Sequence, residues 1–268
     1  MGNSLEKLTI TRKDFLKINQ NGWNILAPQF YGGTALPNYG PLAMTEQDLQ
    51  LIDDLASKSI LELGCGSGHT LHYLSKYKHA AEVWGIDLSQ EQLRLAQGFL
   101  DQENVPARLF PGSMDKNPGI PESYFDLVIS IYGLGWTPDL SRTLSLVHSY
   151  LKPGGQFIFS WEHPIYHCLE YDTNSGKYFI RQSYLDESPE INPTWRGVEI
   201  VLQPRKLSTY MNAVTAAGLI IDRLIESDLN LHRARKQDYL PEKWYSVPRA
   251  RLIPTTFIIK AHRPHQTA

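Results

Sequence analysis

Ile60-Leu61-Glu62-Leu63-Gly64-Cys65-Gly66-Ser67-Gly68-His69-Thr70, followed by Val83-Trp84-Gly85-Ile86-Asp87, is the stretch that decides the fold. It reads as a buried strand, a glycine loop, the start of a helix, and a second strand that ends in an acid. Gly64, Gly66 and Gly68 remove Cβ atoms where the chain turns sharply and where a ligand must approach the backbone. The helix predicted from His69 to Lys76 presents free N–H groups and the positive end of its dipole to that loop. Asp87 lies 19 residues beyond Gly68, far enough for the chain to return along the neighbouring strand. Its carboxylate can accept from both hydroxyls of a ribose.

Strand, glycine loop, helix and strand-end acid in this order bind an adenosine-containing cofactor. A dinucleotide fingerprint requires G-x-G-x-x-G, but counting from Gly64 puts His69 at the last position, and counting from Gly66 puts Leu71 there. An NAD-dependent oxidoreductase is therefore disfavoured. The pattern present is E-x-G-x-G-x-G, with Glu62 two residues before the first glycine.

In that pattern the chain resembles the class I S-adenosylmethionine-dependent methyltransferases of the small-molecule type (type 11/25-like), whose first motif reads [LV]-[DE]-x-G-x-G-x-G. The likeness covers roughly residues 45 to 160. It implies S-adenosylmethionine as cofactor and S-adenosylhomocysteine as product. It sets Gly64, Cys65, Gly66 and Gly68 beneath the methionine and ribose portion, Glu62 at the methionine end, and Asp87 with Leu88 at the ribose. In Phe110-Pro111-Gly112-Ser113-Met114-Asp115, Ser113 stands where the family usually has an acid for the adenine amino group. Met114 would pack on the base or donate its backbone N–H, and Asp115 is the alternative carboxylate. Ser130, at the end of the fourth strand, and Tyr31, closing over the methionine end, complete the implied cofactor set. Ser123-Tyr124-Phe125-Asp126-Leu127-Val128 and Leu151-Lys152-Pro153-Gly154-Gly155 match the family's S-F-D-x-V and L-K-P-G-G segments, which are fold markers.

Composition fits one α/β domain. The 268 residues are 42% hydrophobic, enough to bury a substantial core, and the net charge of −2 offers no general attraction to nucleic acid or an anionic membrane. Cys65 and Cys168 cannot make a disulfide framework or a zinc site by themselves. No apolar run approaches a membrane span of ~18–20 residues, and the first residues match neither a secretion signal nor a myristoylation site. A soluble cytoplasmic protein is expected.

Helical spacing of Leu49, Ile52 and Leu55 predicts a helix over 46–56, before the first strand. Ser89 with Gln92 three residues on reads as a capping box, and Leu93, Ala96 and Leu100 form the stripe of the helix that follows. Further strands are expected at 107–110, 125–130, 156–161, 219–225 and 255–261, with helices at 140–151 and 207–217. This alternation argues a three-layer, doubly wound, mostly parallel seven-stranded sheet. The cofactor core spans 46–163 and the last part of the same sheet 207–268. The aromatic N-terminal segment 1–45 (Trp23, Phe30, Tyr31, Tyr39 and the Gly32-Gly33 pair) and the insertion 164–206 are expected as pocket wall and substrate cap. Residues 228–254 form a third interruption.

Methyl transfer from a sulfonium asks the protein to hold a nucleophile in line and exclude water. His163, leaving the fifth strand in Ser160-Trp161-Glu162-His163-Pro164, is the candidate general base, with a structural hydrogen bond as its alternative role. Tyr132 and Trp136 either line the pocket or pack. Ser130-Ile131-Tyr132-Gly133 is not the [DNS]-P-P-[FYW] of enzymes that methylate base or amide nitrogens, and 129–136 holds no carboxylate cluster for a metal. The eight Lys and Arg from Arg233 to Arg263, against Asp238 and Glu242, pull the other way, but the aromatic spacing of an RNA module is missing. The expected enzyme methylates an O, N or C nucleophile of a small molecule. An RNA (tRNA) methyltransferase using the basic C-terminal region, or a non-enzymatic S-adenosylmethionine-binding regulator, are the alternatives.

Overall fold

Strands covered on both faces carry apolar residues at consecutive positions, and those around the glycine loop do so. A computed structural model of the chain describes residues 10–235 and 240–265. Its strands are β1 (Ser59–Leu63), β2 (Glu82–Asp87), β3 (Ala107–Pro111), β4 (Phe125–Ile131), β5 (Leu151–Glu162), β6 (Leu169–Asp172), β7 (Lys177–Ile180), β8 (Glu190–Trp195), β9 (Val198–Leu202), β10 (Ile220–Glu226) and β11 (Thr256–His262). Seven of them form one sheet in the order β10-β11-β5-β4-β1-β2-β3. β1 to β5 pair in parallel, and β11 runs antiparallel to both β5 and β10. The doubly wound, mostly parallel sheet expected from the sequence is the one that forms.

The helices are α1 (Arg12–Leu26), α2 (Glu46–Leu49), α3 (His69–Tyr77), α4 (Gln90–Gln102), α5 (Leu140–Tyr150), α6 (Pro164–Cys168), α7 (Leu207–Ala216), α8 (Leu231–Ala234) and α9 (Val247–Ala250). Alternate strand residues supply two cores. Leu61, Val128, Phe157 and Phe257 join Leu144 and Val147 of α5 and Tyr210 and Val214 of α7 on one face. Ile60, Ile129, Ile158 and Ile258 join Leu71 and Leu74 of α3 and Ala96 and Leu100 of α4 on the other. Each buried Val, Leu, Ile or Phe among them stabilises the fold by roughly 1.5–3 kcal/mol relative to its exposed state. Among the described residues no helix is long and apolar enough to cross a membrane.

Three local expectations fail for identifiable reasons. The helix predicted over 46–56 stops at Leu49, because Gln50 takes a left-handed conformation (φ 48°) and the buried Glu46 carboxylate accepts the N–H groups of Leu51 and Ile52. Only half of the box at Ser89 exists. Ser89 Oγ accepts the Gln92 N–H, but the Ser89 N–H donates to Asp87 Oδ1 at 2.8 Å, and Gln92 Oε1 is left buried without a partner. β5 begins at Leu151 instead of Gln156. Leu151 pairs with Phe125 and Gln156 with Leu127, so Lys152–Gly155 bulge within the strand.

The insertion after β5 holds two antiparallel hairpins, β6–β7 and β8–β9. The second packs on α1. Asn19, buried in that helix, donates to Val201 O and accepts the Val201 N–H, so its amide stands in for a neighbouring strand. Gly22 allows the approach, since a Cβ there would lie 2.8 Å from Glu199 O.

Candidate active site

The glycine loop folds against the end of β2. The N–H groups of Gly64 and Cys65 both donate to Ile86 O, at 2.8 and 3.0 Å. Gly66, at φ +50°, turns its N–H onto Asp87 Oδ2 at 2.9 Å. Gly68, at φ +80°, begins α3 with its Cα against α4, where a Cβ would lie 3.0 Å from Leu100 Cδ1. Above the loop opens a cavity, partly open to solvent. Seven residues expected at the cofactor line it: Gly64, Cys65, Gly66, Asp87, Leu88, Ser113 and Met114.

The carboxylates fit an adenosine cofactor with an amino-acid tail. Burial pushes the Asp87 carboxyl up to about 6, against the N–H groups of Ser89, Gly66 and Leu88, which favour its charged form. Glu62 stands behind the loop, fully buried. Burial drives its pKa well above the ordinary value, a hydrogen bond from Thr70 opposes this, and the nearby Asp87 charge adds to the rise. Its Oε2 is buried without a hydrogen-bond partner in the protein, an acceptor free for a donor. Gln92 Oε1, at the cavity wall, is a second buried acceptor awaiting a donor.

The roof is α1. Arg12 Nε and Nη2 clamp the Asp115 carboxylate at 2.8 and 2.7 Å, and Gln20 Nε2 donates to Leu88 O at 3.0 Å. Asn24 Oδ1 accepts from Ser89 Oγ at 2.7 Å. Leu16, Asn19 and Trp23, at helical spacing, face the cavity. Ser113 Oγ donates to Asp115. Burial pushes the Asp115 carboxyl up, but the hydrogen bonds from Arg12 and Ser113 outweigh it and hold the pKa below the ordinary value. Asp115 is thus committed to the roof and does not line the cavity.

Five expected site residues lie outside the lining. Glu62 is beneath the loop, and Gly68 faces α4. Tyr31 is exposed and sits edge-on to His69, which does line the cavity, at 4.7 Å between ring centroids. Ser130 is buried and donates to Leu63 O at 2.8 Å, joining β4 to β1. His163 caps α6: Nδ1 accepts the Ile165 N–H, which leaves Nε2 to donate to Glu226 Oε1 at 2.8 Å. Both ring nitrogens are engaged away from the cavity. Tyr132 and Trp136 do line it, as do the α1 face, the 32–35 segment and Gln92. The signal for α1 was present in Thr11 and Asp14: the Thr11 hydroxyl accepts the Asp14 N–H as an N-cap. Among the described residues no group of three or more His, Cys, Asp or Glu side chains could hold a metal ion.

A family model described as a methyltransferase domain matches residues 60–155, the span from β1 to the bulge of β5. An uncharacterized protein of Haemophilus influenzae is 30% identical over 188 residues, covering 66% of this chain and 73% of that one. Phthiotriol/phenolphthiotriol dimycocerosates methyltransferase 1 of Mycobacterium ulcerans is 28% identical over 65% of each chain, slightly under two thirds of its length. The crystal structure of an S-adenosylmethionine dependent methyltransferase from Mesorhizobium loti superposes with a TM-score of 0.64 at 26% identity, over 80% of this chain and 95% of that one. Sheet order, glycine loop and strand-end acid define a class I methyltransferase fold. The chain belongs to the S-adenosylmethionine-dependent methyltransferase family.

Proposed function

We propose that this methyltransferase acts on an O, N or C nucleophile of a small molecule. Bound S-adenosylmethionine supplies a methyl group already activated by its sulfonium. The chain's own residues orient and enclose. Asp87 accepts from the ribose hydroxyls, Glu62 takes the ammonium of the methionine end, and Ser113 with Met114 meets the adenine. Ser113 Oγ keeps acceptor capacity after donating to Asp115, so an amino group can still donate to it.

The observation that carries the small-molecule reading is the roof. α1 is tied to the segments after β2 and β3 and to β9, so the acceptor meets a roofed, aromatic-walled cavity. Such a roof limits the approach of water and of large acceptors and favours in-line approach. The basic C-terminal stretch gives an RNA acceptor little support. Arg233 donates to Gly40 O, Lys260 to Leu51 O, and Arg263 to Ser123 Oγ, His148 O and Leu151 O. Arg249 is buried against the rings of Tyr166, Tyr178 and Trp244. Lys236 and Asp238 lie outside the described residues.

With His163 engaged on both nitrogens, we assign it to holding α6 against β10 instead of to proton removal. Incubation with methyl-labelled S-adenosylmethionine, a metabolite extract and total RNA in parallel tests the reading. Label is expected in a low-mass product of the extract. Label confined to RNA would overturn it.

A further inference from the structure

Four of the six tryptophans of the chain gather at one end of the cavity, although they come from separate elements. Trp136, after β4, lies 5.1 Å from Trp23 of α1, 5.7 Å from Trp161 of β5 and 5.8 Å from Trp195 of the β8–β9 hairpin, between ring centroids. Phe30 joins them, 5.0 Å from Trp23 and stacked at 5.8 Å on Trp195. Trp23, Phe30 and Trp136 line the cavity itself. Edge-to-face rings locked in this way give flat, rigid apolar walls. They stand on the β4 side, whereas Asp87 and Ser113 follow β2 and β3 on the other side of β1.

Arg196, at the turn of the β8–β9 hairpin, is exposed, and its guanidinium lies 5.0 Å over Phe30 and 5.5 Å over Trp195. Among the described residues no carboxylate pairs with it. A guanidinium over a ring face makes no hydrogen bond to it, so its N–H donors stay free for an anion. Arg196 does not itself line the cavity; it lies over Phe30, which does, and the described carboxylate of the lining, Asp87, is across from the tryptophans.

We propose that the tryptophan cluster and Arg196 form the acceptor subsite, and that it takes a planar, apolar molecule bearing an acidic group. The rings hold the planar body and Arg196 the acid. The proposal rests on the methyl-transfer reading, since it makes the aromatic end of the cofactor cavity the acceptor's place.

Titration calorimetry of the full chain, saturated with S-adenosylhomocysteine, tests it with 2-naphthoate and the neutral 2-naphthalenemethanol as probes. Naphthoate is expected to bind more tightly than the alcohol. Arg196→Gln should weaken naphthoate roughly fivefold, as loss of an exposed ion pair does, and leave the alcohol unchanged. Raising the salt should weaken naphthoate alone. Equal binding of the two probes, or naphthoate binding indifferent to Arg196→Gln, overturns the anionic subsite. Binding of neither probe overturns the aromatic one. Failure of S-adenosylhomocysteine itself to bind would sink the methyl-transfer reading instead, and the proposal with it.

Discussion

The Gly66 N–H donates to Asp87 Oδ2 at 2.9 Å, so the carboxylate proposed for the ribose also shapes the loop beneath the cofactor. Asp87→Ala removes both functions. Hydrogen bonds to a charged group contribute ~1.5–3 kcal/mol each, so S-adenosylhomocysteine should bind on the order of a hundredfold more weakly. Asp87→Asn, which keeps one acceptor and the side-chain volume, should lose less. Calorimetry reads both, and an unchanged affinity in Asp87→Ala would remove this residue from the site.

The raised pKa of Asp87, about 6, gives two opposite pH trends. Ribose hydroxyls donate to the ionised form, so cofactor affinity should fall as pH drops from 7.5 to 5. Without cofactor the sign reverses. A carboxyl whose folded pKa exceeds its unfolded value contributes stability that is present at low pH and lost as pH rises through about 6. Asp87→Asn relieves that loss. The variant's gain in stability over the parent should therefore be larger at pH 7.5 than at pH 5, by an amount on the order of 1–2 kcal/mol after allowance for solvent at the cavity wall, seen as a larger gain in Tm. Scanning calorimetry of the cofactor-free protein at the two pH values checks it.

Arg12 holds the roof shut through Asp115, which is fully buried while the arginine is half exposed. Arg12→Gln leaves a buried carboxylate with Ser113 as its remaining side-chain donor. We expect destabilisation of roughly 1–3 kcal/mol, less than for a wholly buried pair. The depressed Asp115 pKa makes this contribution present above the unfolded carboxyl pKa and lost as pH falls through the folded one, so the variant and parent should converge in acid. Chymotrypsin should also cut α1 at Phe15 or Trp23 faster in the variant, and bound S-adenosylhomocysteine should slow the cut. Equal cleavage rates would mean that the roof does not depend on this pair.

Asn19 tests how the insertion is attached. Its amide satisfies both the N–H and the C=O of Val201, and all three groups are buried. Asn19→Ala strands two backbone groups, each costing ~1–3 kcal/mol when left unpaired. A Tm drop of several degrees is expected, with faster amide exchange at Val201 and along β9 and unchanged exchange in β1 and β4. Exchange rising uniformly across the sheet would show that the hairpin is not a separate unit.

The sheet was legible because its strands are short apolar runs bounded by glycine, proline and caps, and α7, β10 and β11 fall within a residue of expectation. What escaped was set by specific side-chain partners, near or far in sequence, that apolar spacing does not record. Glu46 ends its own helix by reaching two N–H groups ahead, which no apolar spacing records. Gln92 completes the sequence pattern of a capping box, yet Asp87 takes the N–H it would have used. His163 leaves the right strand end for a base, but Glu226, on a strand two places across the sheet, claims its other nitrogen. The cofactor half of the cavity could be read from one contiguous stretch. Its aromatic half draws on α1, the turn after β4 and a hairpin from the insertion, and only folding brings those together.

Glu62 offers the sharpest test of the methionine end. Burial keeps its pKa well above the ordinary carboxyl value, and Oε2 faces no donor in the protein. In the cofactor-free protein it therefore holds its proton to higher pH than a free glutamate. An ammonium brought beside it favours the charged form, so binding should release a proton at pH values where the free site is protonated. Calorimetric enthalpies for S-adenosylhomocysteine measured in buffers of different ionisation enthalpy should report that release. Methylthioadenosine, which lacks the ammonium, should release less. Glu62→Gln should abolish the difference between the two ligands while leaving methylthioadenosine affinity near that of the parent. If the two ligands release the same number of protons on the parent protein, Glu62 does not meet the ammonium, and its buried carboxyl serves the loop alone through Thr70.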